Sequence, residues 1–126
     1  MREMDKETID LTYKVLKGKM KEHHRAAGLA ILTRAMLEKA KLARLADGTI
    51  AGKNEQLREA SARELLPHLH RDYEDAEDGE REAKLQLDLA RIEVERVRAL
   101  LRLAEIESRA KWFDDEIEEA DPSIFA

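Results

Sequence analysis

Between Leu66 and Ser108 the chain reads LPHLHRDYEDAEDGEREAKLQLDLARIEVERVRALLRLAEIES, and this stretch decides the fold. Alternate steps of three and four from Leu66 land on Leu69, Tyr73, Ala76, Glu80, Ala83, Leu87, Ala90, Val94, Val97, Leu101, Ala104 and Ser108. Only Glu80 and Ser108 in that row are neither apolar nor tyrosine. A heptad repeat kept this long is the mark of a long helix that packs along one side on other helices. A second row lies on the same helix at Leu85, Leu89, Ile92, Arg96, Ala99, Leu103, Ile106, Ala110, Phe113 and Ile117, broken only by Arg96. Each member stands two residues from a member of the first row, so at about 100° per residue the two rows occupy nearly opposite sides of the helix. One neighbouring helix can cover only one of them. The other must meet another segment of the chain, such as Glu55 to Leu66, or another molecule.

Working outward, Pro67 either opens this helix or kinks a longer one, because a proline inside a helix loses a hydrogen bond and clashes with the preceding turn. Gly79, within the acidic run Asp72 to Glu82, is the weakest point. Upstream, residues 5 to 46 contain no proline and have helical composition, with a stripe through Ile9, Tyr13, Leu16, Met20, His23, Ala27 and Ala30. After Gly28 the apolar set widens and its register shifts, through Leu29, Leu32, Met36, Ala40 and Ala43, with Ile31, Leu37, Leu42 and Leu45 beside them. Gly18 and Gly28 each mark a bend or a close helix crossing in this reading, since glycine inside a helix costs about 1 kcal/mol relative to alanine. Asp47 to Asn54 is the clearest loop: its two glycines suit a helix C-cap and a turn, and Asn54 suits the N-cap of the next helix. Ile50 at its tip is expected to pack under the loop. Downstream, acids from Asp114 to Asp121 and then Pro122 end the long helix, and Ile124 and Phe125 in the tail either dock elsewhere or fold back.

The expected fold is therefore all-α: a single domain built as an elongated antiparallel helical hairpin or bundle with a long heptad-repeat C-terminal helix. Its parts are a helix or kinked helices at about 5–46, a loop at 47–54, a short helix at 55–66, a long helix at about 67–119, and a tail at 120–126. Composition agrees. The 126 residues are 40% charged and 4% aromatic, with 5 Gly, 2 Pro and no Cys. That is a poor basis for a turn-rich sandwich or a mixed α/β enzyme core. Without cysteine there is no disulfide frame, thiolate zinc site or cysteine nucleophile. No stretch approaches the roughly 18 apolar residues of a membrane span, and the N-terminal residues lack an apolar run, so a soluble cytoplasmic protein away from membranes is expected.

Charge is unevenly spread. Residues 1–53 hold 12 Lys and Arg against 7 Asp and Glu, and residues 54–126 hold 11 against 21. Folding back as a hairpin would let the two halves attract each other. The alternative is an external partner for one of them. Lys14, Lys17, Lys21 and Arg25 recur on one helix face and could contact nucleic-acid phosphates, although no aromatics interleave them. The acidic run Asp72 to Glu82 admits the converse, an acidic strip that occupies a nucleic-acid-binding protein.

Chemistry is thinly represented. The adjacent pair His23 and His24, and His68 with His70, each point too far apart on a helix to share one metal ion. His68 with Asp72 has a spacing of four that could share an ion, as many pairs do in so charged a chain. Asp72, Glu74, Asp75, Glu77, Asp78 and Glu80 wind around one helix instead of converging from facing ones. Several fall four residues before a base, as Glu77 before Arg81 and Glu80 before Lys84, so they read as a solvated face. Gly52-Lys53 lacks the rest of a phosphate loop, and Ser61, Ser108 and Ser123 are not framed as nucleophiles.

The segment Asp47-Gly-Thr-Ile-Ala-Gly-Lys-Asn-Glu-Gln-Leu-Arg58, between an Ala/Leu-rich helix and a long heptad helix, resembles small helical proteins of bacteriophages and prophages. That resemblance implies an accessory role in DNA metabolism or packaging, or in countering host defence, and carries over no functional residue. Function is accordingly expected to be non-enzymatic, without cofactor or metal: protein interaction and assembly as a homo-oligomer or with another helical protein. Its contact face is Leu85, Leu89, Ile92, Leu103, Ile106 and Phe113. Nucleic-acid binding through Lys14, Lys17, Lys21 and Arg25, or inhibition of a host defence protein by the acidic half, stands as the alternative.

Overall fold

The structure of the protein, a computed structural model, describes residues 5–119. Among these it is all-α, with three helices: α1 (Lys6–Ala46), α2 (Glu55–Leu65) and α3 (Pro67–Glu119). Residues 120–126, with Ile124 and Phe125, lie outside the described part.

Local chemistry sets the helix ends. Asp5 caps α1, its carboxylate accepting from the Thr8 amide at 2.7 Å, and that bond holds its pKa below the usual carboxylate value. Gly48, at φ 78°, ends α1 in the left-handed conformation that glycine adopts without penalty. The Thr49 and Ile50 amides then return to the Arg44 carbonyl at 3.0 and 3.1 Å. Ile50 is buried under the loop, as its apolar character requires. Asn54 caps α2 by accepting from the Leu57 amide at 2.9 Å. Leu66 leaves the helical conformation, and its amide donates to the Ala62 carbonyl at 2.8 Å. Pro67 is thus the first residue of α3 and opens it; at that position the missing amide proton has no intrahelical partner to lose.

The contacts gather into two compact units. One is Lys17–Asp88, comprising most of α1, all of α2 and the start of α3. Here α1 and α3 run antiparallel: Ala26 to Thr33 lies beside Asp72 to Gly79, and Arg34 to Lys41 beside His70 to Glu77. Its interior is formed by Ala30 and Leu37 of α1, Ile50 of the loop, Ala62 of α2, and His70, Ala76 and Leu87 of α3. The other unit joins residues 5–16 of α1 to residues 89–119 of α3. Ala90, Val94 and Val97 are its buried residues, with Ile9, Thr12 and Leu16 half-buried on α1. The Arg98 guanidinium donates to the Tyr13 hydroxyl at 3.2 Å.

The first row of α3 is its inner face. From Leu69 to Ala104 every member is buried or half-buried, Glu80 included, and the row becomes exposed only at Ser108. On α1 the inner row differs from the sequence reading. It runs through Ile9, Thr12, Leu16, Lys19, His23, Ala26, Ala30, Thr33, Leu37 and Ala40, without a shift at Gly28. Tyr13 and Met20 are exposed instead, as are Leu29, Ile31, Leu32, Met36, Leu42 and Leu45. Threonine can occupy this row because its hydroxyl is satisfied within the helix: Thr12 donates to the Thr8 carbonyl at 2.8 Å and Thr33 to Leu29 at 2.9 Å. Neither Gly18, Gly28 nor Gly79 marks a close crossing, since a Cβ there would meet nothing within 4 Å.

Candidate interaction surfaces

The second row of α3 points away from the inner one. Leu89, Ile92, Leu103, Ile106 and Phe113 are all exposed, Ile92 at 65%, while Val97 on the inner row is at 0%. Arg96, Ala99 and Ala110 of the same row are exposed as well. Leu85 is likewise exposed, on the α3 stretch of the Lys17–Asp88 unit. The Ile117 side chain lies outside the described part. Trp112 and Phe113 meet edge to face at 6.4 Å between ring centroids, both in solvent. Charge pairs flank the row: Arg96 holds Glu93 at 2.6 Å, Arg98 holds Glu95 at 3.0 Å, and Arg109 holds Glu105 at 2.8 Å. Such exposed pairs add little stability.

The four cations singled out on α1, Lys14, Lys17, Lys21 and Arg25, are all exposed. None has an ion-pair partner among the described residues. Within the Lys17–Asp88 unit, Lys17, Met20, Lys21, His24 and Arg25 share one stretch of helix surface. In the acidic stretch, two carboxylates are engaged along their own helix. Arg81 pairs with Glu77 at 2.5 Å and Asp78 at 2.7 Å. The expected Glu80–Lys84 pair does not form among the described residues.

One feature escaped sequence reasoning. A cleft of about 400 Å³ in the Lys17–Asp88 unit gathers Arg34, Glu38 and Lys41 from α1, Glu59 and Arg63 from α2, and His70, Tyr73, Glu74 and Glu77 from α3. Lys41 Nζ donates to both Glu59 carboxylate oxygens, at 3.0 and 3.1 Å, and holds that carboxyl below its usual pKa. Arg63 reaches Glu74 at 3.6 Å, tying α2 to α3. His70 is only 8% exposed, and its Nε2 has no hydrogen-bond partner among the described residues. Burial, then the nearby charges of Lys41 and Arg63, push its pKa below the ordinary value, against a smaller opposite pull from Glu59 and Glu74. On α3 the pocket residues His70, Tyr73, Glu74 and Glu77 recur at spacings of three and four, the periodicity of one helix face.

Among the described residues no set of three or more His, Asp or Glu side chains is placed to hold a metal ion. His68 and the acidic run from Asp72 gather no such set among the described residues, and His68 and Asp72 are both exposed. No described helix is long and apolar enough to cross a membrane. Compared with protein-family models, curated proteins and solved structures, the chain matches none.

Proposed function

We propose that the protein is a non-enzymatic helical interaction and assembly module whose working surface is the outer face of α3. One observation carries this: Leu89, Ile92, Leu103, Ile106 and Phe113 stand exposed on the side of α3 opposite its buried row. An exposed apolar row of this kind on a charged protein marks a contact site. Heptad spacing suits it to another helix, whose side chains would fill the gaps between turns, so the partner is a second copy or another helical protein. Leu85 extends the same row. A phage or prophage accessory role, implied by the resemblance at residues 47–58, belongs to the same proposal.

A second reading rests on the unpaired cations. Lys14, Lys17, Lys21 and Arg25 are exposed and lack carboxylate partners among the described residues, a condition under which phosphates are attracted in a salt-dependent way. Size-exclusion chromatography with light scattering, in low and high salt and with nucleic-acid absorbance recorded, separates the two. Apolar contact through α3 predicts a defined oligomer that carries no nucleic acid and resists salt. A monomer that carries nucleic acid and sheds it in high salt would replace the first reading with the second.

A further inference from the structure

We infer that the outer face of α3 is covered by the same face of a second copy, running antiparallel, with the two-fold axis between Val97 and Arg98. This rests on the proposed role of that face and specifies its occupant. Within residues 89–106 the exposed row is Leu89, Ile92, Arg96, Ala99, Leu103 and Ile106. Its spacing of three, four, three, four and three reads the same in both directions. Laid against an inverted copy of itself, Leu89 meets Ile106 of the second copy, Ile92 meets its Leu103, and Arg96 meets its Ala99. Large aliphatic residues therefore pair with one another, and the one charged member falls opposite the one small member, which leaves room for its stem. The Arg96 head group is already held by Glu93 of its own helix at 2.6 Å.

The flanking charges choose this register. Glu95 and Arg102 are exposed on the same edge of the row, one residue before Arg96 and Leu103 respectively. In the inverted pairing Glu95 faces Arg102 of the second copy, and the symmetry repeats the contact, so two opposite-charge pairs form on one edge. The other edge sets Glu93 against Leu100 of the second copy and introduces no like charges. Sliding by one heptad in either direction spoils this, bringing Glu95 against Glu95 or Arg102 against Arg102 across the axis. A parallel pairing in register stacks Arg96 on Arg96 in the middle of the row. Each of these alternatives thus sets like charges against each other, which the antiparallel arrangement centred between Val97 and Arg98 does not.

Sedimentation equilibrium on the full chain tests the pairing with two charge reversals, Glu95→Arg and Arg102→Glu, each alone and mixed in equal amounts. Circular dichroism checks that helix content is kept. Each variant alone places two like-charge contacts in its homodimer and is expected to dissociate with a constant raised on the order of ten-fold or more. The first variant is basic at both positions 95 and 102, and the second is acidic at both. In the mixture a basic pair of positions therefore faces an acidic pair, both opposite-charge contacts return, and association should match that of the wild type. Failure of the mixture to recover overturns the register. If the reversals have no effect while Ile92→Asp disperses the oligomer, the antiparallel pairing is wrong but the face remains the contact surface. A wild-type chain that stays monomeric at every concentration overturns the second copy as occupant, and Ile92→Asp then has no association to disperse.

Discussion

Replacing Val97 with alanine probes the central division of α3 into a covered and an open side. Val97 is fully buried, so removing its two terminal carbons forfeits about 1.6 kcal/mol of transfer free energy at ~0.8 kcal/mol per carbon. Alanine leaves a void on the order of 50 Å³, which adds about 1 kcal/mol where the surroundings do not collapse. The expected loss is therefore about 2–3 kcal/mol, corresponding to a fall in Tm on the order of 10 °C for a chain of this size. Urea unfolding at one fixed protein concentration, followed by far-UV circular dichroism, measures it. Leu11→Ala is the control in the same unit: Leu11 is exposed on α1, and its truncation should stay within about 0.5 kcal/mol of the wild type. Equal losses for the two variants, or a loss below about 0.5 kcal/mol for Val97→Ala, would refute the assignment of the inner face.

The remaining expectations concern α2, the glycines and the buried histidine. The folded pKa of His70 lies below 6.5, so the unfolded chain takes up the proton first. The stability tied to neutral His70 is complete above pH 6.5 and declines as the pH falls below it. His70→Leu should flatten the fall in Tm as the pH drops below 6.5, and an unchanged slope would assign the effect elsewhere. Gly28→Ala, in an open stretch of helix, should raise stability by up to about 1 kcal/mol. Gly52→Ala should lower it, because the new Cβ would stand 2.7 Å from the Leu57 Cβ and 2.9 Å from the Arg58 amide nitrogen; a pair of thermal melts decides both signs. Asn54→Ala should cost about 1 kcal/mol by removing the α2 cap, with hydrogen exchange accelerated first at the amides of its opening turn.

How far the sequence could be read varied with the helix. On α3 the inner face was legible because a long heptad row, interrupted between Leu69 and Ala104 only by Glu80, leaves few choices, and a second row opposite it implied an uncovered side. Gly48 and Asn54 marked helix ends because each supplies backbone chemistry that a cap requires, whereas Pro67 was compatible with a helix start or a kink until Leu66 was seen to leave the helical conformation. The α1 register was legible only in part. Its inner row uses Thr12, Lys19, Ala26 and Thr33, while larger apolar residues such as Leu29, Leu32 and Met36 lie outside it. Counting apolar side chains therefore found Ile9, Leu16, His23 and Ala30 of the inner row but added Tyr13 and Met20, and after Gly28 it favoured exposed residues. The charged cleft was hidden for a different reason: Lys41, Glu59, Arg63 and Glu74 come from separate helices, and each by itself looks like a solvated charge. Residue pattern records which positions repeat along one helix, whereas contact across helices depends on their packing.

The exposed outer face also bears on where the stability of the chain resides. Alanine supplies four of the buried apolar residues, Ala30, Ala62, Ala76 and Ala90, so the helices meet through small side chains with modest apolar payload. Covering Leu89, Ile92, Leu103 and Ile106 with a second copy would add large side chains to the residues removed from water, and assembly and folding would then support each other.

The most direct measurement is sedimentation equilibrium of wild-type chain beside Ile92→Asp, over a wide concentration range, with Ile31→Asp as the control on the exposed surface of α1. Both substituted residues are exposed, Ile92 at 65% and Ile31 at 72%, so neither change empties the interior. A wild-type dimer, an Ile92→Asp monomer of equal helix content and an Ile31→Asp dimer are predicted. An Ile92→Asp chain that associates as the wild type does would contradict the assignment of the α3 outer face as the contact surface.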